Sequence, residues 1–148
     1  MMKALPALLI VVLLGCASQT PNEDRDLACV QQLELPSYPA IADSARVEAG
    51  VSAAVLLAND GSVEKVSVQT TSGLDYAGKL FFPSVEKAMK ASKFMASCAG
   101  STVHIAFDFP FPTRSETGET VQTVRFMHPN RFEVALTPAP QRWYTAQQ

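Results

Sequence analysis

The sequence is short of the groups that most chemistry needs. Only two histidines and three cysteines occur in 148 residues. His104, His128 and Asp108 show none of the spacings by which side chains close on a metal ion, so a surface strand histidine is the simpler account of His104. His104 and Asp108 share one face of an alternating segment, but about 13 Å apart along a strand, too far for a direct relay. No glycine-rich phosphate loop occurs, and Asn59-Asp60-Gly61 has too few carboxylates for a calcium loop. No cofactor is implied, and the chain is expected not to be an enzyme. Twelve Lys and Arg stand against fourteen Asp and Glu, a net charge of −2. Without a basic excess, nucleic acid is not an expected partner. Internal repeats and low-complexity runs are missing too. The apolar run Ala4–Leu14 reaches under ~20 Å as a helix, short of the ~30 Å hydrocarbon core of a bilayer.

What is present points to an exported, folded protein. With 47% hydrophobic and 18% charged residues, the composition is that of a globular domain. Lys3, the apolar run and the small Gly15 before Cys16 read as a secretory signal. Leu13-Leu14-Gly15-Cys16 also resembles the bacterial lipobox. That resemblance implies that residues 1–15 are removed and that Cys16 becomes a lipidated first residue. Two or more acyl chains would hold it firmly on a membrane. Ala17 and Ser18 follow, with no aspartate of the inner-membrane retention type, so the expected location is the outer membrane, facing the periplasm. Cys29 and Cys98 then remain. In an oxidising compartment they suggest a disulfide, the alternative being two buried thiols. Closing a loop of about 70 residues would be worth about 4 kcal/mol in the chain-entropy model.

The mature chain divides by pattern. Residues 16–30 begin polar and charged and read as a tether of at most ~45 Å. Pro39 suits a helix start, the helix running over 40–49 with Gly50 ending it. Val51–Ala58 reads as a buried strand. Asn59-Asp60-Gly61 is a hairpin signal, and Val63–Thr71 is the return strand. Val63 is out of phase with Val66, Val68 and Thr70, so a bulge is expected near Glu64 or Lys65. Leu74–Phe82 carries no clear period. Pro83 opens a second helix through Lys93, with Val85, Ala88, Met89 and Ser92 on one face. Lys79, Lys87, Lys90 and Lys93 give that helix a basic edge, read as a solvated face. Thr102–Phe109 is the clearest strand, alternating Val103, Ile105, Phe107 and Phe109 against Thr102, His104, Ala106 and Asp108. Residues 113–148 form an extension, with strands at 120–127 and 131–136 that could make a hairpin, then an irregular tail from Thr137.

The order helix, hairpin, helix, strand resembles the TonB C-terminal domain. The residues that carry the likeness run from Tyr38 to Phe111. They are Tyr38-Pro39-Ala40 with Ala42, Glu48-Ala49-Gly50-Val51 and Asn59-Asp60-Gly61-Ser62-Val63. Val66, Val68, Ser72 and Gly73 follow, then Ala88-Met89 with Lys93-Phe94, and Val103-His104-Ile105-Ala106-Phe107. The family's helical tryptophan falls on Ser92. The resemblance implies an α+β fold over residues 31–112: an antiparallel sheet of about three strands, two helices packed on one face, and the C-terminal hairpin as an addition. It also implies a non-enzymatic protein-binding module whose exposed sheet edge takes up an extended partner segment. The partner would be an envelope protein, such as a TonB-dependent receptor or a secretion component. A tether of at most ~45 Å is too short to carry force across the periplasm.

Thr102–Phe109 is the expected binding edge, with Thr102, His104, Ala106 and Asp108 turned toward the partner. Trp143-Tyr144 either folds back over the sheet or is an exposed partner anchor. The second functional reading, from another class, is a pilotin-like or scaffold lipoprotein of a secretion, pilus or transport assembly. It would use that tail or the basic helix edge. Neither reading sets an oligomeric state. Cys16→Ser is predicted to abolish acylation, leaving a soluble form or an uncleaved precursor. Mass spectrometry of the N-terminal peptide, with membrane fractionation, checks it. A wild-type chain that is soluble and carries no acyl mass would overturn the anchor.

Overall fold

The computed structural model describes residues 23–113 and 118–139, with side chains from residue 26 onward. Cys16, the expected signal segment, Trp143 and Tyr144 lie outside the described residues. The elements in chain order are α1 (Glu23–Ala28), β1 (Val30–Gln32), α2 (Ala40–Ala45), β2 (Ala49–Leu57), β3 (Val63–Ser72), α3 (Asp75–Lys79), α4 (Phe82–Ala91), β4 (Lys93–Phe94), β5 (Thr102–Phe109), β6 (Thr120–Met127) and β7 (Arg131–Pro138). The architecture is mixed α+β. The main sheet has five strands in the order β3-β2-β5-β7-β6, and β1 pairs with β4 in a small second sheet. The expected sheet of about three strands is therefore too small, because the C-terminal hairpin joins it. All its pairings are antiparallel except β5 with β7, which is parallel.

Local chemistry explains most boundaries. α2 stops at Ala45 rather than Ala49. Arg46 adopts a left-handed conformation, φ 51°, and the Val47 N–H reaches back to the Ala42 carbonyl at 3.2 Å. Gly50 consequently does not end the helix. It lies inside β2, where a Cβ would collide with the hydroxyl oxygens of Ser72 and Thr71. The expected bulge is present: Leu56 opposes Lys65 and Leu57 opposes Val63, leaving Glu64 extra. A second register shift skips Thr71. α4 buries Val85, Ala88 and Met89, the helical face expected from their spacing. It ends two residues early, because Ser92 turns extended. The Ser92 hydroxyl, buried, donates to the Ala88 carbonyl and accepts from the Glu34 N–H, both at 2.9 Å. That hydroxyl satisfies a helix-end carbonyl and ties residue 34 to it.

The core lies between the helices and the apolar face of the sheet. Val51, Val55, Phe81, Val85, Met89, Ile105, Phe107 and Val134 are fully buried. Phe81 and Phe109 stack at 4.2 Å, with Tyr38 edge-on to each at 5.4 and 5.8 Å. The segment expected as tether to residue 30 is structured from Glu23, with Asp26 and Cys29 buried. Cys29 and Cys98 form a disulfide across 69 residues, Cα to Cα 5.7 Å. β7 runs through Pro138, so the chain remains regular past Thr137.

Tyr38 joins three parts of this fold. Its hydroxyl lies 2.9 Å from the Val47 carbonyl and 3.1 Å from the Pro110 carbonyl, and its N–H donates to Gln122 Oε1 at 2.7 Å. Burial first, then the nearby Asp43 and Glu48 carboxylates, push the phenol up to about 12 from its ordinary 10.0. The folded state thus holds this proton more tightly than the unfolded chain. The stability it brings is complete below about pH 10 and is lost as pH rises toward 12. Tyr38→Phe is predicted to cost about 1 kcal/mol at neutral pH. The gap to wild type should narrow above about pH 10 in urea melts. A gap that stays constant to pH 11.5 would contradict this.

Candidate interaction edge

A sheet recognises extended chain only where a strand has unpaired backbone groups. From His104 to Asp108, β5 has none facing a free side. It pairs with β2 from Ala49↔Phe109 to Leu56↔Thr102, and with β7 through Ala106↔Arg131, Phe107↔Phe132 and Asp108↔Glu133. Beyond β7 the remaining positions are capped by side chains. The His104 N–H donates to Asp26 Oδ2 at 3.1 Å, and Asn130 Nδ2 donates to the His104 carbonyl at 3.0 Å. The Ala106 N–H donates to the Asn130 carbonyl at 3.0 Å. The edge expected at Thr102–Phe109 is therefore an interior strand. The reason is that the hairpin of β6 and β7 folds back so that β7 lies parallel beside it, which the strand's own alternation does not reveal.

The polar face of β5 is also engaged. His104 Nδ1 stands 3.5 Å from Asp26 Oδ2, whereas Asp108 pairs with Arg131 at 3.1 Å. The two residues thus have separate partners and do not form a relay. Ala106 is half-buried and Thr102 is exposed at the strand's start. A cleft of about 410 Å³ opens at the end of β5 beside Glu48, Ser72, Gly73, Asp108 and Arg131. Its cation and one of its carboxylates already satisfy each other. Among the described residues, no three His, Cys, Asp or Glu side chains are grouped so as to hold a metal ion. The basic helix edge is partly neutralised as well: Lys79 pairs with Asp75 at 2.7 Å and Lys90 with Glu86 at 3.6 Å. Hydrogen bonding and charge from Lys79 hold the Asp75 carboxyl below its ordinary value.

The terminal strands of the sheet are β3 and β6. They differ in protection. β3 carries a bulge at Glu64, a second irregularity at Thr71 and the charges Glu64 and Lys65. α3 and α4 pack against it. These are devices that keep an edge from pairing. β6 has no bulge and no helix packed against it among the described residues. Its eight residues pair with β7 in one unbroken register, from Thr120↔Pro138 to Met127↔Arg131. It contains no proline, and its one charge, Arg125, bonds Glu133 across the sheet at 3.0 Å.

Among the described residues, hydrogen-bond parity shows which groups of β6 are open. The Ala139 N–H donates to the Glu119 carbonyl, which continues the β6–β7 ladder by one pair. Alternate pairs exchange bonds in an antiparallel ladder, so Val121, Thr123, Arg125 and Met127 face β7. Thr120, Gln122, Val124 and Phe126 therefore turn their N–H and C=O groups outward. The same four residues share the apolar face, since Phe126 and Phe132 meet at 5.2 Å and Phe132 and Phe107 at 6.0 Å. This face runs out past the helices. Phe126 is 50% exposed, Val124 38%, and Val121 on the opposite face 39%. Gln122 anchors the strand to the preceding segment, accepting from the Tyr38 N–H and donating to the Pro36 carbonyl at 3.1 Å. The composition of 120–127 was a signal for a strand, but only its place at the sheet's rim makes it a candidate site.

No family model matches the sequence, and no curated protein matches it. Among solved structures, the C-terminal domain of Pseudomonas aeruginosa TonB, determined by solution NMR, is similar over 53% of this chain and 81% of its own. The identity is 19% and the TM-score 0.40. The edges described above are this chain's own geometry and stand independently of that likeness.

His104→Pro separates a covered strand from an open one. It removes an N–H that bonds a buried carboxylate inside the sheet, so a loss of about 3 kcal/mol or more is predicted. Thermal unfolding of the purified variant measures it, and a change under about 0.5 kcal/mol would mean that β5 is an edge after all.

Proposed function

We propose that this chain is a non-enzymatic protein-binding module of the bacterial envelope, held by lipid on Cys16 and facing the periplasm. It recognises protein by strand addition at β6. The observation that carries the reading is the contrast between the two rims: β3 is bulged, charged and backed by helices, while β6 is regular, uncharged at its rim and partly apolar. The outward N–H and C=O groups of Gln122, Val124 and Phe126 would supply affinity. The exposed side chains of Val121, Val124 and Phe126 would select alternating apolar residues in the added strand. The Cys29–Cys98 disulfide suits an oxidising compartment, which supports an exported location. Asp26, hydrogen-bonded to the His104 N–H, ties the end of the tether to the domain.

A photo-crosslinking residue placed at Val121 in the full chain, in its native envelope, tests this. Adducts are expected from Val121, with few from a matched position at Lys65 on β3. Adducts from Lys65 alone, or from neither position, would sink the assignment to β6.

A further inference from the structure

We infer that the strand taken up by β6 is β6 of a second copy, giving a two-fold dimer with one continuous ten-stranded sheet. This deepens the strand-addition reading and rests on it. The argument begins with parity. Antiparallel self-pairing brings outward-facing residues opposite one another, and those are Thr120, Gln122, Val124 and Phe126. Placing the two-fold axis at Val124 sets Val124 against Val124 of the other copy and Phe126 against Gln122. Both kinds of pair then exchange hydrogen bonds. Arg125 falls opposite Thr123 and Met127 opposite Val121. No like charges meet, because Arg125 is the strand's single ion and is already bonded to Glu133. The half-exposed Phe126 and Val124 of both copies then lie side by side, extending the apolar face across the junction.

Symmetry explains why such pairing would stop at two. An isologous contact consumes both β6 edges. The rims that remain are two copies of β3, each bulged and charged. An unguarded rim is a hazard in a monomer, and self-pairing removes it while satisfying the outward groups of both copies at once. The contact is modest. A strand of this length offers an edge about 27 Å long and ~10 Å thick, smaller than a standard stable interface, so a reversible dimer in the micromolar range is expected. Anchoring to one membrane would raise the local concentration and favour it.

The same parity supplies the test. Proline at Val124 removes an outward N–H and leaves the β7 ladder intact, whereas proline at Thr123 removes a bond within the sheet. Sedimentation of the full-length lipidated chain in detergent, at 1 to 100 µM, is expected to show a monomer–dimer equilibrium. Val124→Pro should weaken it at least ten-fold while keeping the folded circular dichroism spectrum. Thr123→Pro serves as the control that unfolds. Val124→Cys should form disulfide-linked dimers under mild copper–phenanthroline oxidation, since residues on the axis face each other about 5.5 Å apart. Thr120→Cys, off the axis, should not. A wild-type chain that is monomeric at 100 µM, with no Val124→Cys dimer, overturns the inference. If that monomer still crosslinks a different protein through Val121, strand addition stands and only the identity of the added strand is wrong. A dimer that forms only after residues 140–148 are removed also overturns it, because the tail is then the occupant of β6.

Discussion

The parallel docking of β7 on β5 is the contact on which the rest depends. β5 would otherwise present outward N–H and C=O groups at His104, Ala106 and Asp108 beside a nearly saturated core. Asn130 begins the closure: its carbonyl accepts from the Ala106 N–H, and its side chain donates to the His104 carbonyl. Asp26 completes it from the other direction by accepting the His104 N–H. Two segments far apart in sequence thus seal one strand. Once it is sealed, the rim of the described sheet moves outward to β6.

That displacement also explains the uneven burial of the C-terminal hairpin. β7 is flanked on both sides and buries Val134 completely, while β6 projects past the helices and remains largely exposed. The aromatic row Phe107, Phe132 and Phe126 follows the same gradient, from fully buried to half exposed. A chain of contacts that begins in the core therefore ends on the surface. Tyr38 and Gln122 tie this outer strand to the segment entering α2, so the hairpin is bonded to the rest of the domain at more than the β5–β7 seam.

Protection at the other rim has a different origin. The bulge at Glu64 arises because Val63 and Val66 cannot both face the core in a regular strand. Gly50, Ser72 and Thr71 meet closely at the far end, where the register slips again. Gly78 of α3 sits so close above Thr70 that no side chain would fit between them. Helix packing and irregular pairing together leave β3 poorly suited to accept another strand, and this asymmetry gives the sheet a direction.

Much of this was legible in the residues themselves. Period-two alternation placed β2, β3 and β5, because one face of each packs on the core and a single-residue slip would turn it outward. The phase break at Val63 located the bulge. Spacing of Val85, Ala88 and Met89 marked the buried face of α4. Two cysteines in a sequence whose start reads as an export signal pointed to the disulfide that the structure contains. Element ends were less legible, since Arg46 and Ser92 terminate helices through backbone conformations that local composition does not demand. Least legible was which strand is the rim. Hydrophobic alternation reports burial of side chains, and β5 and β7 carry the same alternation whether or not they pair. Pairing is decided by where the chain returns in space, which is a property of the assembled sheet. The sequence by itself therefore determined that β2, β3 and β5 are strands and which face of each is apolar. Only the tertiary structure decided that His104 is interior and that Val124 and Phe126 stand on the outermost strand of the described sheet.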